Sequence, residues 1–104
     1  MAYKVSLSLQ AREDLRDIVR FIREDNPAVA SRVGYTLIKR VDVLEVFPLF
    51  GRRVPEFDDE DIRELIDRPY RIIYQVIEAQ RLIAIARVWH GARGEPELPA
   101  QLQF

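Results

Sequence analysis

Tyr70–Arg93 reads YRIIYQVIEAQRLIAIARVWHGAR. Two runs rich in Ile, Val, Tyr, Leu and Ala flank the polar segment Glu78–Arg81, which is the pattern of two β-strands joined by a tight turn. The turn holds neither Gly nor Asn-Gly, so its type stays open. Pairing Ile77 with Leu82 sets a register, and side chains then alternate between faces. One face takes Ile72, Tyr74, Val76, Ile83, Ile85 and the Trp89 ring, and is expected to be the core. The other takes Arg71, Ile73, Gln75, Ala84, Ala86, Val88 and His90. In this register Arg71 lies opposite Val88 and diagonal to His90, roughly 7–8 Å away. An arginine and the only histidine of the chain would then converge on one face. A one-residue slip would undo that arrangement.

Working outward, Tyr3–Leu7 reads as a first strand and Ser8 as a helix N-cap. Ala11, Leu15, Ile18 and Ile22 form a helical stripe, with charged residues, read as a solvated face, on the remaining sides. Asn26-Pro27 restarts a helix, Asn as cap and Pro at the first helical position. Its stripe is Ala30, Val33, Leu37, Val41 and Leu44, and Pro48 ends it. The short connection predicts an antiparallel helix hairpin. Arg52–Pro55 is extended, with Pro55 confining it to an edge or a strand end. Glu56–Asp61 carries five acids in six residues, but without the Gly and ligand spacing of a calcium loop it reads as solvated. Ile62–Ile66 is a further strand. The expected order is β-α-α-β-β-β, an α+β fold with the helix pair on one face of a mostly antiparallel four-stranded sheet. Residues 1–104 form one domain, in which 94–104 are an aperiodic, mobile tail.

The composition excludes several classes. Of the 104 residues, 48% are hydrophobic and 32% charged, ordinary for a globular domain. No apolar run reaches the ~18–20 residues of a membrane helix, and MAYKVSLSL is too short and polar for a signal peptide. There is no cysteine, hence no disulfide framework or thiolate chemistry; a cytoplasmic location fits. A net charge of −1 gives no global attraction to nucleic acid. Fourteen of the sixteen basic residues are arginine, which suits bidentate contacts to phosphate or carboxylate, although genome composition explains the bias equally well.

No Gly-rich phosphate loop, nucleophile elbow or zinc pattern is present, so no metal or cofactor is expected. What remains is Arg52, Arg53, Arg63, Glu64, Arg71, Arg87, His90 and Arg93. RNA cleavage without metal needs a base, a cation for the phosphorane charge and an acid. Glu64, Arg71 and His90 are the candidates for those roles. Arg52, Arg53, Arg63, Arg87 and Arg93 are the candidate target-binding or nucleic-acid-binding residues. The structural alternatives are a backbone-bonded strand-end histidine and a Glu64 paired with Arg63 or Arg71.

Five pieces in order resemble the RelE/ParE superfamily of type II toxin–antitoxin toxins. They are SLSLQAREDLRDIVRFI, Asn26-Pro27 opening the second helix, FPLFGRRVPE, RELIDRPYRIIYQV and IARVWHGAR. The resemblance implies a bacterial cytoplasmic toxin that a cognate antitoxin wraps and neutralises in a hetero-oligomer. RelE-like members cut mRNA on the ribosome without metal; ParE-like members poison DNA gyrase. Glu64, Arg71 and His90 look like the Glu, Arg and His of a YoeB-type catalytic set. Against that reading, the aromatic hydroxyl expected after the histidine is Gly91, and the only lysines are Lys4 and Lys39. The pattern GRRVPE…REL…YRIIY…VWHGAR is closer to ParE. The expectation is therefore a ParE-like gyrase inhibitor of a plasmid-stabilisation module. A ribosome-dependent nuclease is the alternative, and a non-toxic antitoxin-binding module a third reading.

Overall fold

A computed structural model describes residues 2–104. The chain runs β1 (Lys4–Leu7), α1 (Leu9–Arg23), α2 (Pro27–Arg40), β2 (Arg52–Arg53), β3 (Ile62–Asp67), β4 (Tyr70–Ile77) and β5 (Leu82–His90), with short 3-10 turns at Val41–Glu45, Glu78–Gln80 and Gly91–Arg93. The strands form one sheet in the order β1-β5-β4-β3-β2. β1 is parallel to β5 and the other pairs are antiparallel. The α+β class, the helix hairpin and the mostly antiparallel sheet are as expected. The strand count is corrected from four to five. Arg52 and Arg53 pair with Glu64 and Arg63, and β2 stays at the sheet edge, where Pro55 is tolerated.

The helix boundaries follow their caps. The Ser8 hydroxyl accepts from Ala11 N at 3.1 Å, and Asn26 Oδ1 accepts from Val29 N at 3.1 Å, ahead of Pro27. The second stripe continues beyond α2 into the 3-10 turn, where Val41 and Leu44 are buried. The helices approach closely at Gly34. A Cβ there would sit 3.0 Å from Val19 Cγ2.

The main core lies between the helices and the sheet, built from Ala11, Leu37, Leu44, Ile72, Tyr74, Ile83 and Ile85 among others. Ile72, Ile83 and Ile85 are no more than 1% exposed, and each such side chain contributes roughly 1.5–3 kcal/mol by burial. A second cluster of Val54, Ile73 and Trp89 lies on the opposite face, with Phe57, Ile62 and Leu98 packed on it.

The register of the β4–β5 hairpin is half as expected. From Ile77↔Leu82 to Tyr74↔Ile85 the pairing agrees, but the next pair is Ile73↔Arg87, with a bulge between. Ala86 is the extra residue. Such a residue flips every side chain beyond it to the other face. Val88 therefore joins Ile72 over the helices, and Trp89 crosses to the far face, opposite Arg71. Trp89 is buried at 2%, but in the second cluster instead of the first. The hairpin turn is a 3-10 turn closed by Arg81 in the left-handed region at φ 48°.

The C-terminal segment is not a free tail. Trp89 Nε1 donates to Gly94 O at 3.2 Å and Arg87 Nη1 to Glu97 O at 2.9 Å. Leu9 N donates to Gln103 O at 2.6 Å. Leu98 adds to the second cluster. A sequence without periodicity is thus held by backbone acceptors and one apolar anchor, which no periodicity reports.

Candidate functional site

Glu64 leaves the middle of β3 on the face away from the helices, between Arg52 of β2 and Ile73 of β4. Arg71, two residues along β4, shares that face. Glu64 Oε2 accepts from Arg52 Nε at 2.7 Å and Oε1 from Arg71 Nε. The Glu64 side chain has 0% exposure. Arg71 then turns its other two nitrogens onto Glu56, Nη1 to Oε2 at 2.9 Å and Nη2 to Oε1 at 2.8 Å. The result is a chain Arg52–Glu64–Arg71–Glu56 in which every buried charge has an opposite neighbour, as burial requires. The bidentate pair with Glu56, then the bond to Glu64, push the Arg71 guanidinium above its ordinary range. The same pair holds the Glu56 carboxyl below the ordinary glutamate range.

His90 is elsewhere. The bulge places it opposite Tyr70 on the helix side of the sheet, whereas Arg71 lies on the far side. The expected convergence of Arg71 and His90 on one face is therefore corrected. The rings of Tyr70 and His90 meet edge to face, centroids 5.4 Å apart. His90 Nδ1 accepts from Ala92 N at 3.0 Å, which caps the Gly91–Arg93 turn. The remaining nitrogen, Nε2, then carries the proton of the neutral ring. Burial pushes the Tyr70 phenol up, so it stays protonated at neutral pH. Arg71 and His90 nevertheless both line a cleft of about 460 Å³, together with Arg52, Arg68 and Tyr70, where β4 begins and β5 ends.

The arginines expected to meet a target differ in availability. Arg87 is 8% exposed and points inward. It forms a bidentate pair with Asp14 of α1, Nε to Oδ2 at 2.7 Å and Nη2 to Oδ1 at 2.9 Å. Asp14 Oδ2 also accepts from Val88 N at 3.0 Å. β1 stops at Leu7, and this carboxylate takes a β5 donor just beyond it. Arg87 is thus held within the fold by Asp14. Arg63 donates to Glu60 O and Gly51 O. Arg53 lies 3.4 Å from Asp58, and Arg93 stacks on Trp89 at 4.0 Å.

Sequence reasoning missed Glu56, Tyr70 and Arg68 at this site. Glu56 falls within the acidic run that reads as solvated. The only signal for it was an unpaired arginine inside an apolar strand, which demands a carboxylate without saying which one. Among the described residues no group of three or more His, Cys, Asp or Glu is placed to hold a metal, and no helix is long and apolar enough to cross a membrane.

A helix hairpin against one face of a β1-β5-β4-β3-β2 sheet is the architecture of RelE/ParE-type toxins. A chain of the chromosomal ParDE TA system from P. aeruginosa superimposes with a TM-score of 0.71 at 20% identity, covering 86% of this chain and 96% of that one. A mutant E. coli toxin RelE in the free state gives 0.67 at 20% identity, covering 90% and 88%. The RelBE2 toxin–antitoxin complex from Mycobacterium tuberculosis gives 0.59 at 21%, covering 86% and 99%. Residues 5–94 match the family described as the ParE toxin of the type II toxin–antitoxin system parDE, and the chain belongs to this family. Toxin RelE1 of Caulobacter vibrioides is 28% identical over 91 residues, which cover 88% of this chain and 96% of that protein.

Proposed function

We propose that this type II toxin inhibits growth by acting on DNA gyrase, without cutting RNA, and that a cognate antitoxin holds it inactive in a cytoplasmic hetero-oligomer. The observation that carries the reading is the state of Glu64. A general base must come within hydrogen-bond reach of the proton it takes. Glu64 has a side chain with 0% exposure, bonded to two guanidiniums. Arg71 spends all three nitrogens on carboxylates, and His90 faces the other side of the sheet. Arg71 and His90 line one cleft, but the Glu64 side chain, at 0% exposure, is not part of its wall.

The antitoxin part of the reading is supported by the ParDE and RelBE systems among the similar structures. It is also supported by exposed large apolar side chains, Phe21 at 74% and Tyr35 at 64% among them, since surfaces of this kind mark partner sites. Maintenance of a plasmid or chromosomal locus follows from such a pair.

The second reading, a ribosome-dependent nuclease, draws on the cleft lined by Arg52, Arg68, Arg71 and His90, whose cations suit a phosphate. One preparation separates the two. Toxin freed of antitoxin is added to gyrase with supercoiled DNA, and to programmed ribosomes with mRNA. Cleaved DNA or lost supercoiling with intact mRNA is expected. Cut mRNA that depends on Glu64 and His90, with gyrase untouched, would overturn the proposal.

A further inference from the structure

Residues 46–50, directly after the 3-10 turn at Val41–Glu45, read VFPLF. Val46, Phe47, Leu49 and Phe50 are each between 55% and 67% exposed. Together they present on the order of 400 Å² of apolar surface, a size at which a patch is commonly functional. The segment is not loose. Phe47 N donates to Val43 O at 3.0 Å and Phe50 N to Phe47 O at 3.1 Å. The buried Tyr74 hydroxyl accepts from Gly51 N at 2.9 Å and donates to Pro48 O at 2.8 Å, and Arg63 Nη1 donates to Gly51 O at 3.1 Å. The backbone is thus fixed while four large side chains stand in water, which makes a rigid apolar knob. The next two residues of the edge, Arg52 and Arg53, form β2 and are exposed. Arg53 lies 3.4 Å from Asp58, and Asp59, Glu60 and Asp61 continue the acidic run in solvent. The rim of the knob therefore carries both signs of charge.

We propose that this knob is the contact through which the toxin engages its protein target, gyrase in the function proposed above. The occupant is an apolar pocket of that protein, with carboxylates opposite Arg52 and Arg53 and cations opposite the acidic run. Aromatic anchors on a prearranged backbone lose little entropy on binding, so more of the burial is expressed as affinity. Other occupants fit less well. An anionic lipid surface or a nucleic acid would meet residues 58–61 together with the arginines and be repelled by them. A second copy would set one protruding knob against another, which leaves no pocket to fill. About 400 Å² on each copy is also only half of the roughly 800 Å² that each partner buries in a standard interface. The inference rests on the proposed function for the identity of the target, and adds the place and the chemistry of contact.

The test uses the full-length toxin freed of antitoxin, and the double variant Phe47→Ser, Phe50→Ser. The concentration that halves the supercoiling activity of gyrase is expected to rise roughly tenfold or more in the double variant. Arg53→Glu should raise it by less, and Leu9→Ser, an exposed apolar change elsewhere, should leave it unchanged. Circular dichroism, melting temperature and affinity for the product of the neighbouring antitoxin gene are expected to match wild type in the double variant. Undiminished inhibition by the double variant would overturn the proposal. So would a parallel loss of antitoxin affinity, which would give the knob to the antitoxin. Binding of anionic vesicles that the double variant loses, or self-association that it loses in sedimentation, would overturn it in favour of a membrane or a second copy. If wild type leaves gyrase untouched, the gyrase reading fails by itself and growth arrest on expression judges the knob. Arrest that the double variant loses, with antitoxin binding kept, retains the knob as the target contact; arrest that it keeps, or no arrest by wild type, overturns that as well.

Discussion

The arginines on the sheet and those on α1 are alike in sequence and opposite in state. On the sheet, Arg52, Arg71 and Arg87 are drawn onto Glu64, Glu56 and Asp14 at hydrogen-bond distance. On α1, Arg12, Arg16 and Arg23 stand in solvent, without an ion pair among the described residues. A buried guanidinium must be neutralised because its desolvation is expensive, whereas an exposed one keeps its water and can wait for a partner. Arg71 and Arg87 thus belong to folding energetics. Arg52 pairs with Glu64 while its own side chain stays 59% exposed, and the helix arginines keep their solvent. Counting basic residues does not separate the two groups.

The contrast breaks most visibly at Asp14. Asp14→Ala leaves Arg87 and the Val88 amide without their acceptor, and should cost roughly 3–5 kcal/mol, the range for orphaning one partner of a buried ion pair. Urea denaturation measures it. A loss within 1 kcal/mol would show that Arg87 finds water or another carboxylate, and would move it back among the available cations.

Gly51 comes next. A Cβ there would lie 2.5 Å from Glu64 O and 2.7 Å from the Tyr74 hydroxyl. Gly51→Ala should destabilise by roughly 1–3 kcal/mol through overpacking and disturb the Arg52–Glu64 pair, visible as shifts in the arginine Nε resonances. Tyr74→Phe removes a hydroxyl that accepts from Gly51 N at 2.9 Å and donates to Pro48 O at 2.8 Å. It should cost about 1–2 kcal/mol and loosen the same turn without added bulk.

A smaller effect is pH-dependent. Arg71 holds the Glu56 carboxyl below the ordinary glutamate range, so the folded chain binds that proton more weakly than the unfolded chain. This stabilisation is complete above the unfolded carboxylate's range and is lost as pH falls through the folded value. Glu56→Gln should therefore flatten the acid limb of the stability curve while leaving the neutral-to-alkaline part parallel to wild type. An unchanged acid limb would mean that Glu56 does not hold Arg71 in solution. The smallest effect belongs to the arginines of α1. Arg16→Ala should change stability by no more than about 0.5 kcal/mol, as for exposed residues without partners. A larger loss would place Arg16 with the structural arginines.

Local patterns carried much of the fold. Ser8, Asn26 and Pro27 mark helix starts because the interactions that make a cap lie within three residues. The hairpin runs at Tyr70 and Leu82 show their strands because apolar side chains at those positions need a face to bury. The site was less legible. Whether Glu64 shares a face with Arg71 stayed open in the sequence, where a pairing with Arg63 or Arg71 is only the structural alternative. Extending a single register across the bulge puts His90 on the face of Arg71, where the fold does not have it. Glu56 lay hidden in an acidic run whose other members are solvated.

By itself, then, the sequence determined the helix pair, the central hairpin, the α+β class and the family, since these depend on periodicity, caps and turn chemistry over short spans. Only the tertiary structure decided the bulge at Ala86, the crossing of Trp89 to the far face, and which carboxylate holds each arginine. Those outcomes depend on where β1 stops, where Asp14 meets β5 and how the loop carrying Glu56 folds back. All three are contacts between residues far apart in the chain, and their energies are set by burial that no local window contains.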